Sequence, residues 1–226
     1  MIGVFDSGVG GLTALFELRR LLPRTDMIYL ADRKNAPYGT RSEDEILSLA
    51  ENCVERLTDA GADKILIACC TASTLHSRLT DGARRITTPI IAPAARAAVR
   101  VSRGRIAVIA TEATVRSHAF SRAILGECEC EVTEFAAQEL VPMVEGGATD
   151  KKPLTPEQKS ILLRVLEPVR ASRADTLILG CTHFPHLAGH ISAMLPQVQL
   201  VSPSLEGALE IAKSTADRGG GRTVFL

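Results

Sequence analysis

Short runs of β-branched and aliphatic residues alternate along the chain with longer stretches in which apolar positions recur every three or four residues. The short runs predict strands at about 2–5, 26–31, 64–68, 89–92, 105–109, 131–135, 175–179 and 198–202; a strand buried on both faces shows as a continuous apolar run bounded by turn residues. The longer stretches predict helices over 12–22, 42–60, 73–83, 117–125, 156–169 and 187–195. Ser42 and Glu45, at the head of the second of these, carry the spacing of a capping box. Strands alternating with helices of this length imply βα units and parallel sheets, an α/β fold.

The pattern repeats. Ala62-Asp63-Lys64-Ile65-Leu66-Ile67-Ala68-Cys69 aligns with Ala174-Asp175-Thr176-Leu177-Ile178-Leu179-Gly180-Cys181 at an offset of 112. Ile2-Gly3-Val4-Phe5 aligns with Ile106-Ala107-Val108-Ile109 at 104, and Ile90-Ile91-Ala92-Pro93 aligns near 110 with the run that ends in Pro203. Apolar strands resemble one another, but these three matches keep their order. They predict two similar α/β lobes related by a pseudo-twofold, each a mostly parallel sheet of four strands flanked by helices. The first lobe would take residues 1–95 plus about 204–226 and the second 96–203. Carboxyl ends of equivalent strands would then face one crevice, where open α/β sheets bind ligands.

Charge narrows the partners. Lys plus Arg number 26 and Asp plus Glu number 26, so no net positive field favours nucleic acid or an anionic membrane. No apolar run approaches the ~20 residues that cross a bilayer. The opening Met1-Ile2-Gly3-Val4-Phe5-Asp6 lacks the basic and apolar regions of a secretory signal, and the expectation is a cytoplasmic protein. Six cysteines are too sparse for a disulfide-stapled domain, and reduced thiols become candidates for chemistry.

Cys69 and Cys181 each follow an apolar strand at matching places in the two halves. The duplication therefore puts a thiol on each wall of the crevice. Two acid/base groups on opposite sides of a carbon suit a racemase or epimerase, and a thiol with a reference pKa of about 8.5 can serve near neutrality. The competing reading is a buried core cysteine, which fits Cys53, Cys128 and Cys130 better than the matched pair, because Cys69 and Cys181 stand in small polar turns. Those turns, Ala68-Cys69-Cys70-Thr71-Ala72-Ser73 and Gly180-Cys181-Thr182-His183, offer amides and hydroxyls to a carboxylate. Asp6, in Asp6-Ser7-Gly8-Val9-Gly10-Gly11, could orient or deprotonate a thiol. The glycines are open to two readings, a binding loop or a structural βα turn; they match neither a P-loop nor the G-x-G-x-x-G fingerprint.

Four segments carry a family resemblance: Val4-Phe5-Asp6-Ser7-Gly8-Val9-Gly10-Gly11, Ala36-Pro37-Tyr38-Gly39-Thr40-Arg41-Ser42, Ala110-Thr111-Glu112-Ala113-Thr114-Val115-Arg116-Ser117 and Leu179-Gly180-Cys181-Thr182-His183-Phe184-Pro185. They resemble glutamate racemases, in order, over residues 2 to about 212. The resemblance implies interconversion of L- and D-glutamate without a cofactor, D-glutamate being a building block of peptidoglycan, and a possible homodimer. It implies Cys69 and Cys181 as the two acid/bases, Asp6 and His183 as groups that assist them, and Glu145 as a further acidic residue. It also implies Ser7, Pro37, Tyr38, Gly39, Cys70, Thr71 and Thr182 as the lining of the glutamate pocket. The chain departs from the family at Cys70, where asparagine is usual and an amide contact would be lost. It departs again at Ala136-Ala137-Gln138-Glu139-Leu140, in place of a Cys-Pro pair, and at Ser202, in place of an aspartate; neither is assigned to catalysis. A further strand and helix usually follow Thr223-Val224-Phe225-Leu226, so the first lobe is expected to be less well covered there.

Several readings compete. His183 could be a hydrogen-bonded turn histidine, Glu145 a solvated loop carboxylate, and Tyr38 a turn aromatic with its hydroxyl in water. A zinc site of Cys69, Cys70, Cys181 and His183 would need Cys-Cys and Cys-x-His spacings unlike the usual ones. A pyridoxal-phosphate enzyme would need a Schiff-base lysine, and none of the six lysines stands in a pocket motif. An aspartate racemase and a non-catalytic ligand-binding protein of the same fold remain as alternatives.

Overall fold

A computed structural model describes residues 1–226. Nine strands form two sheets: β1 (Ile2–Asp6), β2 (Met27–Ala31), β3 (Lys64–Ile67), β4 (Thr87–Pro89), β5 (Arg105–Ala110), β6 (Glu131–Ala136), β7 (Thr176–Gly180), β8 (Gln199–Val201) and β9 (Thr223–Phe225). The first sheet runs β4-β3-β1-β2-β9 and the second β6-β5-β7-β8, with every pairing parallel. Read backwards, the second order is β8-β7-β5-β6, which matches β4-β3-β1-β2 strand for strand. The internal repeat is therefore a repeat of topology, with β9 added beside β2 through Met27 opposite Thr223.

The strands alternate between two cores, as period-2 side chains must. Ile2 and Val4 of β1 join Ile106 and Val108 of β5 and Ile178 of β7 in one core shared by both sheets. Phe5 points the other way, onto Ile46, Ala50, Val54 and Leu57 of the helix Glu43–Asp59. In the second sheet Ala107, Ile109, Leu177 and Leu179 meet Leu162, Val165 and Leu166 of the helix Pro156–Ala171. Four helices, Leu12–Leu21, Ile91–Val101, Ala119–Leu125 and Pro203–Lys213, contribute to the shared core. Many of their contacts are small, including Ala14, Ala94, Ala95, Ala98 and Ala208, and small side chains let packed elements approach closely.

The Ser42 capping box forms, with the Ser42 N–H donating to Glu45 Oε2 at 3.0 Å and the Glu45 N–H to Ser42 Oγ at 3.4 Å. Other expectations are corrected. The strand at 89–92 is Thr87–Pro89, and Ile91 already opens a helix. That helix and Pro203–Lys213 escaped the pattern. Ile91–Val101 is buried at Ile91, Pro93, Ala94, Ala95, Ala97 and Ala98, with Arg96 and Arg100 on its other face, and the short apolar run Ile90-Ile91-Ala92 that opens it reads equally as a strand. The helix expected at 73–83 breaks into Cys70–Ser73, a 3-10 turn at His76–Arg78 and Asp81–Ile86, because the Thr80 hydroxyl accepts the Ala83 N–H and starts a new helix. The helix expected at 117–125 is Ala119–Leu125, preceded by Glu112–Arg116 and by His118 in the left-handed region at φ 49°. The last residues, for which the pattern gave no element, form β9. No helix is long and apolar enough to cross a membrane.

Candidate active site

The two polar turns end β3 and β7, the equivalent central strands, and their cysteines line one cavity between the sheets. Its empty volume, counted to the open mouth, is about 500 Å³. Cys69, Cys70, Cys181, Thr71, Thr182 and His183 line it from the two turns; Ser7, Pro37, Tyr38, Gly39 and Glu145 complete the set expected from the sequence. Asp6 stands one layer behind the wall, with no exposed surface.

Cys69 caps the short helix Cys70–Ser73, where its Sγ accepts the Ala72 N–H at 3.5 Å and its thiol donates to Ser7 Oγ at 3.6 Å. Burial pushes this thiol up to about 11, the Asp6 charge adds to the rise, and the Ala72 and Ser7 contacts oppose it. Cys181 Sγ lies 3.6 Å from His183 Nδ1. Burial likewise raises the Cys181 thiol, opposed by the His183 backbone N–H and reinforced by the charges of Asp6 and Cys69. The Cys70 thiol is held well above its ordinary range, first by burial and then by Cys181 and Cys69. Thiols held this high are stronger bases once ionised, and a cation entering the cavity would favour that ionisation.

Asp6 joins the two lobes. Its Oδ2 accepts the Gly8 N–H at 3.0 Å, and its Oδ1 accepts the Thr182 hydroxyl at 3.3 Å from the second lobe. Burial raises its pKa, against the opposing charge of His183. The glycine turn makes this contact sterically feasible: a Cβ on Gly10 would overlap Thr182 Oγ1 and stand 2.8 Å from His183 Nδ1. Gly10 is thus a close-packing device, while Gly8 reaches the cavity itself. Glu145 ends the helix Leu140–Glu145 and brings Oε1 within 3.3 Å of His183 Nε2, so its carboxylate faces the imidazole although half of it remains exposed.

Two hydroxyls of the expected lining are bonded within the protein. Tyr38 lines the cavity, but its hydroxyl is buried and donates to Asp32 Oδ2 at 2.6 Å, which replaces the solvated hydroxyl expected of a turn tyrosine. The Thr71 hydroxyl lies 3.1 Å from that of Thr111 and 3.2 Å from that of Thr114, a second polar bridge between the lobes. Thr111 and Gln138 also line the cavity and were not singled out from the sequence. Thr111 follows β5 as Ser7 follows β1, so the offset of 104 marks it. Gln138 follows β6, and its place at a carboxyl strand end, within the segment that departs from the family's Cys-Pro pair, could have marked it. Ser202 lies in a separate groove with Leu205.

The profile of the Asp/Glu/Hydantoin racemase family matches residues 15–210. The chain belongs to that family. A glutamate racemase of Desulforudis audaxviator is 45% identical over 209 residues, covering 90% of this chain and 74% of the relative. The crystal structure of a glutamate racemase isoform from Bacillus anthracis has a TM-score of 0.87 at 32% identity, covering 100% of this chain and 86% of that one. A glutamate racemase from Francisella tularensis subsp. tularensis SCHU S4, crystallised in complex with D-glutamate, has a TM-score of 0.85 at 29% identity, covering 99% and 86%. The two-lobed α/β architecture is that of these racemases.

Two outcomes follow for this racemase. Gly10→Ala forces the Thr182-His183 turn outward and should lower turnover by about 10²-fold, the scale of a misplaced reacting group, with unfolding free energy reduced by about 1–3 kcal/mol; turnover and denaturant melts on one preparation check both. Asp6 is the second case. Because its folded pKa is raised, stability is full below the unfolded pKa and is lost as pH climbs through the folded one. Asp6→Asn should therefore raise the denaturant midpoint at neutral pH, lose that advantage below about pH 4, and still lower turnover.

Proposed function

We propose that the chain is a glutamate racemase in which Cys69 and Cys181 exchange protons with the two faces of the α-carbon. One observation carries this reading: both thiols line a single cavity from the ends of topologically equivalent strands. The names of the relatives supply the substrate, and the D-glutamate complex of the Francisella racemase supports it. In one direction a thiolate takes the α-proton, the electron pair passes into the substrate carboxylate system, and the opposite thiol delivers a proton to the other face. The enzyme is left with its proton on the other sulfur, ready for the reverse direction. Both proton-transfer groups are supplied by the chain, so the reading needs no cofactor.

The remaining roles follow from position. Cys69 is held by Ser7 and the Ala72 amide; Cys181 has His183 beside it, and His183 in turn has Glu145. An imidazole between a thiol and a carboxylate can relay a proton. Asp6 acts from behind as a positioning residue, through Thr182 and through its charge on both thiols. Ser7, Pro37, Tyr38, Gly39, Cys70, Thr71 and Thr182 form the pocket wall, with lobes divided as residues 1–95 plus about 204–226 and 96–203. Supply of D-glutamate to peptidoglycan in the cytoplasm is the cellular role that fits this reaction.

L-Glutamate incubated with the native protein in deuterium oxide should lose optical rotation and gain α-deuterium, with aspartate run beside it. Cys69→Ser and Cys181→Ser should each lower racemisation by at least about 10²-fold, unequally in the two directions because each thiol serves one face. Near-native turnover in either variant would remove that cysteine from the mechanism.

A further inference from the structure

Two buried side-chain nitrogen or oxygen atoms in the chain lack a hydrogen-bond partner, Gln138 Oε1 and His183 Nε2, and both residues line the cavity between the thiols. Buried polar groups are nearly always paired, and an orphaned one raises the free energy until a partner arrives. His183 Nε2 has the Glu145 carboxylate at 3.3 Å, though without hydrogen-bond alignment. Gln138 Oε1 has no such neighbour to explain it.

Gln138 follows β6 of the second sheet, while Gly39 lies on the loop after β2 of the first. The two meet in the cavity wall: Gln138 Oε1 is 3.3 Å from where Gly39 would carry a Cβ. The hydroxyls around it are committed, Thr71 to Thr111 and Thr114, Thr182 to Asp6, and Tyr38 to Asp32. Cys69, Cys70 and Cys181 offer only sulfur, a weak acceptor.

Glutamate at neutral pH presents two carboxylates, which accept hydrogen bonds, and one ammonium, which donates them. A carbonyl oxygen can pair only with the donor. We propose that Gln138 Oε1 accepts a hydrogen bond from the α-ammonium of the substrate, which makes Gln138 a binding residue for the cationic end of the amino acid. The inference rests on the racemase reading above for the identity of its ligand. A neutral acceptor has a consequence for the chemistry: the ammonium keeps its positive charge, which continues to acidify the α-proton and to favour a nearby thiolate. The same ammonium serves both enantiomers, so one residue can anchor L- and D-glutamate alike.

The test is calorimetry on the native protein, Gln138→Ala and Gln138→Glu with two ligands. DL-glutamate is one, since racemisation leaves its composition unchanged; glutarate, which keeps both carboxylates and lacks the ammonium, is the other. Gln138→Ala should weaken DL-glutamate about 10-fold, the scale of a hydrogen bond to a charged group, and leave glutarate within about 2-fold. Gln138→Glu, which keeps an acceptor and adds a negative charge, should hold DL-glutamate within about 3-fold of native and weaken glutarate. In turnover, Gln138→Ala should raise KM for both enantiomers about 10-fold with kcat within about 3-fold. Equal loss of both ligands in Gln138→Ala, no loss of glutamate, or a Gln138→Glu variant that loses glutamate as the alanine variant does would each overturn the inference. A native protein that binds DL-glutamate but leaves the enantiomers unchanged would sink the racemase reading while the calorimetry still decides the role of Gln138. Binding of neither ligand would overturn both.

Discussion

The site depends on two parallel sheets sharing one hydrophobic core. A parallel strand delivers the chain at its carboxyl end, and two sheets of the same strand order can present equivalent ends to one crevice only if they are held face to face. The shared core provides that hold: Ile2 and Val4 of one sheet and Ile106, Val108 and Ile178 of the other belong to it together with residues of four helices. Alanine at many of those helical contacts leaves room for close approach. A larger side chain there would push apart the elements that carry Cys69 and Cys181, since a packed interior transmits strain rather than absorbing it.

At the crevice the packing becomes polar. Asp6 with Thr182, and Thr71 with Thr111 and Thr114, are buried hydrogen-bonded links between the lobes. Such links are directional where the apolar core is not, and a buried polar group left unpaired is costly. They therefore fix how the two cysteine turns face each other. The glycine turn belongs to the same device, since its missing side chain lets the first lobe close on Thr182 and His183. In this fold a glycine loop serves contact between lobes more than contact with a phosphate.

Burial gives the site its reactivity and its instability together. Asp6, Cys69, Cys70 and Cys181 all have raised pKa values with desolvation as the leading cause. Removing a carboxyl and three thiols from water opposes their ionisation, so charge in this cavity has to be stabilised by what enters it. A zwitterionic amino acid brings both signs of charge, and the wall offers few uncommitted polar atoms to meet them. This is the physical sense in which the pocket is built for a small charged ligand.

The sequence by itself determined the βα order, the duplication and the pair of cysteines at equivalent strand ends, because strand periodicity and the offsets near 104 to 112 are local properties of the chain, while most of the pocket wall came from the resemblance of its motifs to a family. It did not reveal the helices at Ile91–Val101 and Pro203–Lys213, because a short apolar run such as Ile90-Ile91-Ala92 cannot be told from a strand by periodicity alone. Nor could it show that the Tyr38 hydroxyl turns to Asp32, that Asp6 sits behind the wall, or that Gln138 reaches across to Gly39. Those facts join residues far apart in the chain or turn on the direction a side chain takes. Only the tertiary structure decided them, because hydrogen bonding and close approach depend on distance in space, which the order of residues does not contain.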